Sequence, residues 1–147
     1  MSASQNTITF TIVTPDGVVY DDDQVAQVSI PTTTGEVTIL PHHIPLISVL
    51  ASGELRVKKV DGHEVAMAVG SGLLEVMTWN KVRILADTAE RAEHVSLERA
   101  EEARVRAEQL LREVKAGDDV MFARLQAKIE KELARAGVAR KYRKIKV

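Results

Sequence analysis

The chain has 147 residues, a formal net charge of −1 and no cysteine, which suits one domain or a small domain with an appendage. Disulfides, thiolate catalysis and cysteine-based zinc sites are excluded, and the balanced charge announces neither a nucleic-acid binder nor an acidic tail. The average hides two unlike halves: residues 1–88 hold ten acidic and five basic side chains, residues 89–147 eleven and fifteen.

The first ten residues, MSASQNTITF, have no basic region and no apolar segment of signal length, and no stretch approaches the ~18 apolar residues of a membrane span. The expectation is a soluble protein whose membrane association, if any, runs through another protein. From Thr7 to Thr88 the apolar period is two, as in Ile8, Phe10 and Ile12 or Leu55 and Val57. Pro15-Asp16-Gly17 and Asp61-Gly62 punctuate these runs as turns. The second joins LRVKKV to HEVAMAV as a two-residue hairpin signal, because Asp-Gly accepts positive backbone angles. Asp21-Asp22-Asp23 reads as a solvated turn, since a contiguous triplet lacks the alternating ligands of a calcium loop.

Residues 35–50, GEVTILPHHIPLISVL, place His42 and His43 between Pro41 and Pro45. Adjacent side chains in an extended segment point to opposite sides, and no HxxxH or HExxH spacing offers further ligands. A structural turn or partner-contacting loop is therefore read in preference to a metal site. Gly70-Ser71-Gly72 reads as a bulge or tight bend, and Trp79-Asn80-Lys81 as a hairpin turn with its indole partly exposed. No Gly-x-Ser-x-Gly elbow and no phosphate-cradling loop occurs, so the residues give almost no support to an enzyme. Eight or more short strands in ~80 residues predict a β-sandwich or flattened barrel.

Beyond Asp87 the spacing turns helical. Leu97, Ala100, Ala103, Ala107, Leu110, Leu111 and Val114 mark one face, Ser96 is the candidate N-cap, and Glu102/Arg106 and Glu108/Arg112 are spaced as i,i+4 pairs. Gly117 suits a helix end and Asp118 or Asp119 the next cap. Phe122, Leu125, Ile129, Leu133 and Ala136 form a second stripe, giving an antiparallel helix pair. Both stripes are narrow and alanine-rich, so the pair must lean on the sandwich, a ligand or a partner. Eight basic residues from Lys128 to Lys146 face only Glu130 and Glu132, a composition suited to an acidic protein surface. Tyr142 is the only aromatic nearby, so nucleic-acid binding is weakly supported. On the residues alone, a free-standing sandwich that binds a protein and dimerises through its helices is an alternative.

Taken in order, Gly35-Glu36, Pro41, His43, Pro45-Leu46, Gly72-Leu73-Leu74-Glu75-Val76 and the junction VRILADTAERAE to LERAEEARVRAE resemble the epsilon subunit of bacterial F-type, proton-translocating ATP synthases. The resemblance spans nearly the whole chain. It implies a ten-stranded β-sandwich over residues 1–88 followed by a two-helix hairpin over 89–147, in a noncatalytic subunit of the central rotor stalk. The sandwich would bind the gamma subunit on one side and the polar loops of the membrane c-ring on the other. The complex would hold it peripherally at the cytoplasmic face of the cell inner membrane, coupling ring rotation to gamma.

Carried over residue by residue, the resemblance implies a ring-facing loop of Glu36, Pro41, His43 and Pro45, with His42 standing where the family often has glycine. The helices would inhibit ATP hydrolysis by meeting an acidic region of the catalytic beta subunits through Arg135, Arg140, Lys141 and Arg143. Some members bind regulatory ATP at the first helix. Here that motif reads Val95-Ser96-Leu97-Glu98-Arg99-Ala100, so Arg99, Ala100 and the later Arg106 match while Ser96 replaces an aspartate. Serine keeps the capping oxygen but not the carboxylate, which implies weak or absent ATP binding and no required cofactor.

Overall fold

A computed structural model describes residues 6–146. Among them nine strands form, the last just past the Thr88 limit of the period-two stretch, so the sandwich runs a few residues beyond the boundary expected at 88: β1 (Ile8–Thr14), β2 (Gly17–Thr32), β3 (Gly35–Ile39), β4 (Leu46–Leu50), β5 (Gly53–Lys59), β6 (Glu64–Val69), β7 (Gly72–Met77), β8 (Lys81–Ala86) and β9 (Ala89–Arg91). They build two layers. One runs from the first part of β2 through β1, β8 and β7 to β4, with β1 and β8 parallel. The other runs from β3 through the second part of β2 to β5, β6 and β9. Counted once in each layer, β2 gives the ten strands that the resemblance implied.

That double membership corrects the reading of Asp21-Asp22-Asp23, which lies inside β2 and not in a turn. The register slips here: Phe10 faces Asp22 while Ile8 faces Val25. The Asp22 carboxylate holds the bend by accepting from the Gln24 amide at 2.8 Å and pairing with Lys59 at 3.1 Å. An aspartate that bonds its own backbone two residues on supplies this kind of local bend. Burial pushes the Asp22 carboxyl upward, but the Gln24 amide and Lys59 outweigh it and hold it below its ordinary range. Its neighbour Tyr20 donates its hydroxyl to Asp22, and burial together with that carboxylate pushes the phenol up to about 12.

Between the layers lies the main core, including Phe10, Ile12, Ile30, Leu55, Met67, Leu74 and Ile84 with no accessible surface. Each such side chain contributes roughly 1.5–3 kcal/mol by leaving water. The Asp61-Gly62 hairpin is present with a longer connection than the two residues expected: the strands stop at Lys59 and resume at Glu64, with Gly62 at φ 91°. Gly70-Ser71 makes the bend into β7. Its first residue, Gly72, lies so close to β8 that a Cβ would overlap the Leu85 carbonyl oxygen and stand 2.9 Å from Ala86 Cα.

After a 3-10 turn at Ala92–His94 come α1 (Leu97–Arg112) and α2 (Asp119–Lys146). Ser96 Oγ accepts from the Arg99 amide at 3.3 Å and Asp118 Oδ1 from the Met121 amide at 3.2 Å, so both predicted caps are made. The first helix ends at Arg112, before Gly117, because Glu113 closes it by donating to Leu110. The two helices run antiparallel, α1 on α2 and α2 on the outer face of β5 and β6. A second, small core forms there from Ala68, Ala92, Val95, Val138 and Ala139.

The α2 stripe differs from the one expected. Leu125, Glu132, Ala136, Val138 and Ala139 are buried, whereas Phe122 and Leu133 are half-exposed. The sheet contacts of α2 come from Arg135, Val138, Ala139, Lys141 and Tyr142, and Glu132 tolerates burial because Arg135 pairs with it at 2.8 Å. Nor does Glu108 pair with Arg112: Arg104 takes both Glu101 and Glu108, at 2.9 and 2.8 Å.

Candidate docking surfaces and the helical latch

The Pro41–Pro45 segment is a turn, not the extended stretch assumed for its histidines, and His42 sits at φ 68° where a side chain is strained. Leu40 carbonyl oxygen accepts from the His43 amide at 3.2 Å, and Ile44 carbonyl oxygen accepts from His43 Nδ1 at 2.6 Å. The His42 amide donates to Asn80 Oδ1 at 2.7 Å, which joins this loop to the Trp79-Asn80 turn between β7 and β8. Glu36 is not brought to the same place. It lies at the other end of β3, five residues before Pro41, roughly 17 Å at ~3.4 Å per residue, and pairs with Arg56 at 2.8 Å. Around it Thr33, Thr34 and Gly35 form a polar, exposed hairpin.

The two outer faces of the sandwich are unlike. The β5–β6 face is covered by α2, which Ala66 and Ala68 admit closely. The β1–β8–β7–β4 face is bare, and its register lines up an apolar row across every strand: Val18, Val13, Leu85, Leu73 and Val49. Val18, Leu85 and Val49 are exposed. In the adjacent row Glu75 and Arg83 pair at 2.7 Å beside the exposed Ile47. Sequence alternation reveals that each strand has two faces, but not which face stays open.

Arg135, Arg140 and Lys141 of α2 are engaged in the compact arrangement. Arg135 bridges Glu132 on its own helix and Glu90 on β9, the latter at 3.0 Å. Burial draws its guanidinium down, but the two carboxylates outweigh this and raise it. Arg140 pairs with Glu101 of α1, and Lys141 with Glu54 of β5 at 3.0 Å. Arg143 is exposed. These carboxylates are functional candidates that the sequence reading missed. Glu132 carried a signal, a charge placed four residues before Ala136 within an apolar stripe; Glu54, Glu90 and Glu101 carried none.

Of the nucleotide-motif residues, Ala100 is fully buried while Arg99 and Arg106 are exposed. Seven residues apart, the two arginines share a helix face about 10 Å apart along the axis. No helix among the described residues is long and apolar enough to cross a membrane.

This architecture, a β-sandwich with a helical hairpin folded onto it, has a recognised class. Residues 7–92 match the family described as "ATP synthase, Delta/Epsilon chain, beta-sandwich domain". An ATP synthase epsilon chain of Pediococcus pentosaceus is 40% identical over 139 residues, 94% of this chain and 99% of the relative. One of Herpetosiphon aurantiacus is 42% identical over 129 residues, 88% and 91% of the two chains. The chain belongs to the ATP synthase epsilon chain family. The same fold occurs in the Euglena gracilis mitochondrial ATP synthase OSCP/F1/c-ring structure, with TM-score 0.74 and 22% identity over 88% of this chain and 79% of that one. It recurs in the central stalk/c-ring structure of the Tetrahymena thermophila mitochondrial ATP synthase, with TM-score 0.63 and 12% identity over 92% and 98%.

Proposed function

We propose that this chain is a noncatalytic central-stalk subunit that links c-ring rotation to the gamma subunit, and that its hairpin restrains ATP hydrolysis by meeting the alpha/beta catalytic subunits. The observation that carries the reading is the unequal treatment of the two sandwich faces. One is bare and apolar and suits a permanent protein partner, gamma. The other is occupied by a basic hairpin held through alanines and ion pairs, contacts weak enough to be exchanged. The polar hairpin at Glu36 suits the polar ring loops. Attachment through these partners would place the chain peripherally at the cytoplasmic face of the cell inner membrane.

As a brake, the hairpin would leave the sandwich and present Arg135, Arg140, Lys141 and Arg143 to an acidic surface, a salt-sensitive and orientable contact. Titrating the cognate catalytic core with the full chain, and separately with a chain ending at Val95, tests this. The expected result is that both bind and only the full chain slows hydrolysis. Binding of both without inhibition would remove the brake from the reading; failure of both to bind would remove the reading itself.

Regulatory ATP is not required in this account, because Ser96 offers the first helix a cap and no carboxylate. Equilibrium dialysis with labelled ATP is expected to detect no micromolar binding by the full chain, and tighter binding after Ser96→Asp. A micromolar dissociation constant for the unaltered chain would overturn it.

A further inference from the structure

We infer that Trp79, with Ile44 and Ile47 at the same end of the sheet, is the anchor by which this chain holds gamma. The inference rests on the reading that the bare sheet face takes gamma. Trp79 is 89% exposed, and Ile44 and Ile47 are 75% and 71% exposed. Water contact on this scale, by three large apolar side chains at one end of one sheet, gives the fold nothing.

The backbone is unusual as well. Trp79 and Asn80 have φ of 65° and 56°, the pair of positive angles that two-residue hairpin turns normally give to Asn-Gly or Asp-Gly. For a bulky side chain such an angle is a true outlier, and outliers of this kind gather where a partner binds. The turn is nevertheless fixed on both sides. Asn80 Oδ1 accepts from the His42 amide at 2.7 Å, and the Asn80 carbonyl oxygen accepts from the Thr9 amide at 2.9 Å. The indole therefore stands on a rigid mount, which reduces the ordering that binding must impose.

The position selects the partner. The β7 and β8 strands that carry the turn belong to the bare face, whose apolar row begins at Val49 two residues beyond Ile47. The opposite face is closed by α2. Polar ring loops match the hairpin at Glu36 and not an exposed indole with two exposed isoleucines at the same end of the sheet. The Pro41–Pro45 loop is thereby moved from the ring contact that the resemblance implied to the border of the gamma surface. Tryptophan is among the residue types most enriched at binding hot spots.

Trp79 is the only tryptophan in the chain, so 5-fluorotryptophan labels this position alone. Adding unlabelled cognate gamma to the labelled full chain is expected to shift the fluorine resonance and abolish its solvent-isotope effect. Isolated c-ring in detergent and lipid vesicles are expected to leave it unchanged. Trp79→Gly relaxes the backbone and should fold, yet is expected to weaken gamma binding about 30-fold. Co-elution with gamma while the resonance stays that of an exposed indole would overturn the anchor and leave the bare-face reading standing. Unchanged gamma affinity in Trp79→Gly would do the same. No complex with gamma at all would overturn that reading first, and a shift produced by ring or vesicles alone would assign the indole to a different partner.

Discussion

Gly72→Ala is expected to destabilise the sandwich by about 3 kcal/mol, a fall in Tm of roughly 10–20 °C. The new methyl group would overlap the Leu85 carbonyl oxygen and press on Ala86 Cα at 2.9 Å. Both are backbone atoms of β8, in register with Gly72 through the β7–β8 ladder, so neither can rotate aside. Relief requires the two strands to part, and that breaks ladder hydrogen bonds in the layer that carries the bare face. Overpacking in a close-packed interior commonly costs about 1–3 kcal/mol, and an immovable neighbour places this case at the upper end. Gly137→Ala is the control. In α2 an added Cβ meets no atom within 4 Å, so that change should stabilise the helix by about 1 kcal/mol. Denaturant midpoints of the two variants check both signs; equal stability of Gly72→Ala and the unaltered chain would refute the close approach.

The second large effect concerns the hairpin. Arg135→Gln leaves Glu132, 4% exposed, with its carboxylate buried and without its counter-charge. Removing one partner of a fully buried pair costs about 3–5 kcal/mol. Arg135 keeps a quarter of its side chain in water, so the docking of α2 should weaken by about 2–3 kcal/mol. At ~1.4 kcal/mol per factor of ten, amides of α1 and α2 should exchange with solvent roughly 30- to 100-fold faster, while those of β1 to β8 keep their protection. Adding Glu132→Gln to the variant should return most of the loss, because the stranded charge is gone. Glu90→Gln alone removes only a partly exposed partner and should cost about 0.5–1 kcal/mol. Unaltered exchange in Arg135→Gln would mean that the small alanine and valine core, and not the ion pairs, holds the hairpin down.

The strands were legible because each apolar alternation ends in a residue with its own turn chemistry, as at Pro15-Asp16-Gly17 or Asp61-Gly62. The helices were legible from their period and caps. Where sequence reading failed, the deciding partner lay far along the chain. Asp21-Asp22-Asp23 looks like a turn until Lys59 and Thr11 are placed opposite it. The run of cations in α2 was plain, but its partners Glu54 and Glu90 lie on β5 and β9, far back along the chain. His42 was visible as part of a stiff turn, whereas its tie to Asn80 joins positions 38 residues apart. Leu133 and Phe122 were assigned to the buried stripe because periodicity gives a direction for a helix face and no information on how much of its length finds a neighbour.

One consequence of β2 is mechanical. The sandwich is not two plates held together by side-chain adhesion alone, because a single strand of 16 residues is woven into both. Shear applied to one plate passes into the other along peptide bonds, with the Asp22–Lys59 clasp at the corner resisting straightening. At its far end the strand meets β3 at Gly35 and touches β4 at Leu50, so the route is closed on itself. A body built this way transmits a twisting load with little slip between its layers, and it would do so even if much of its apolar filling were exchanged.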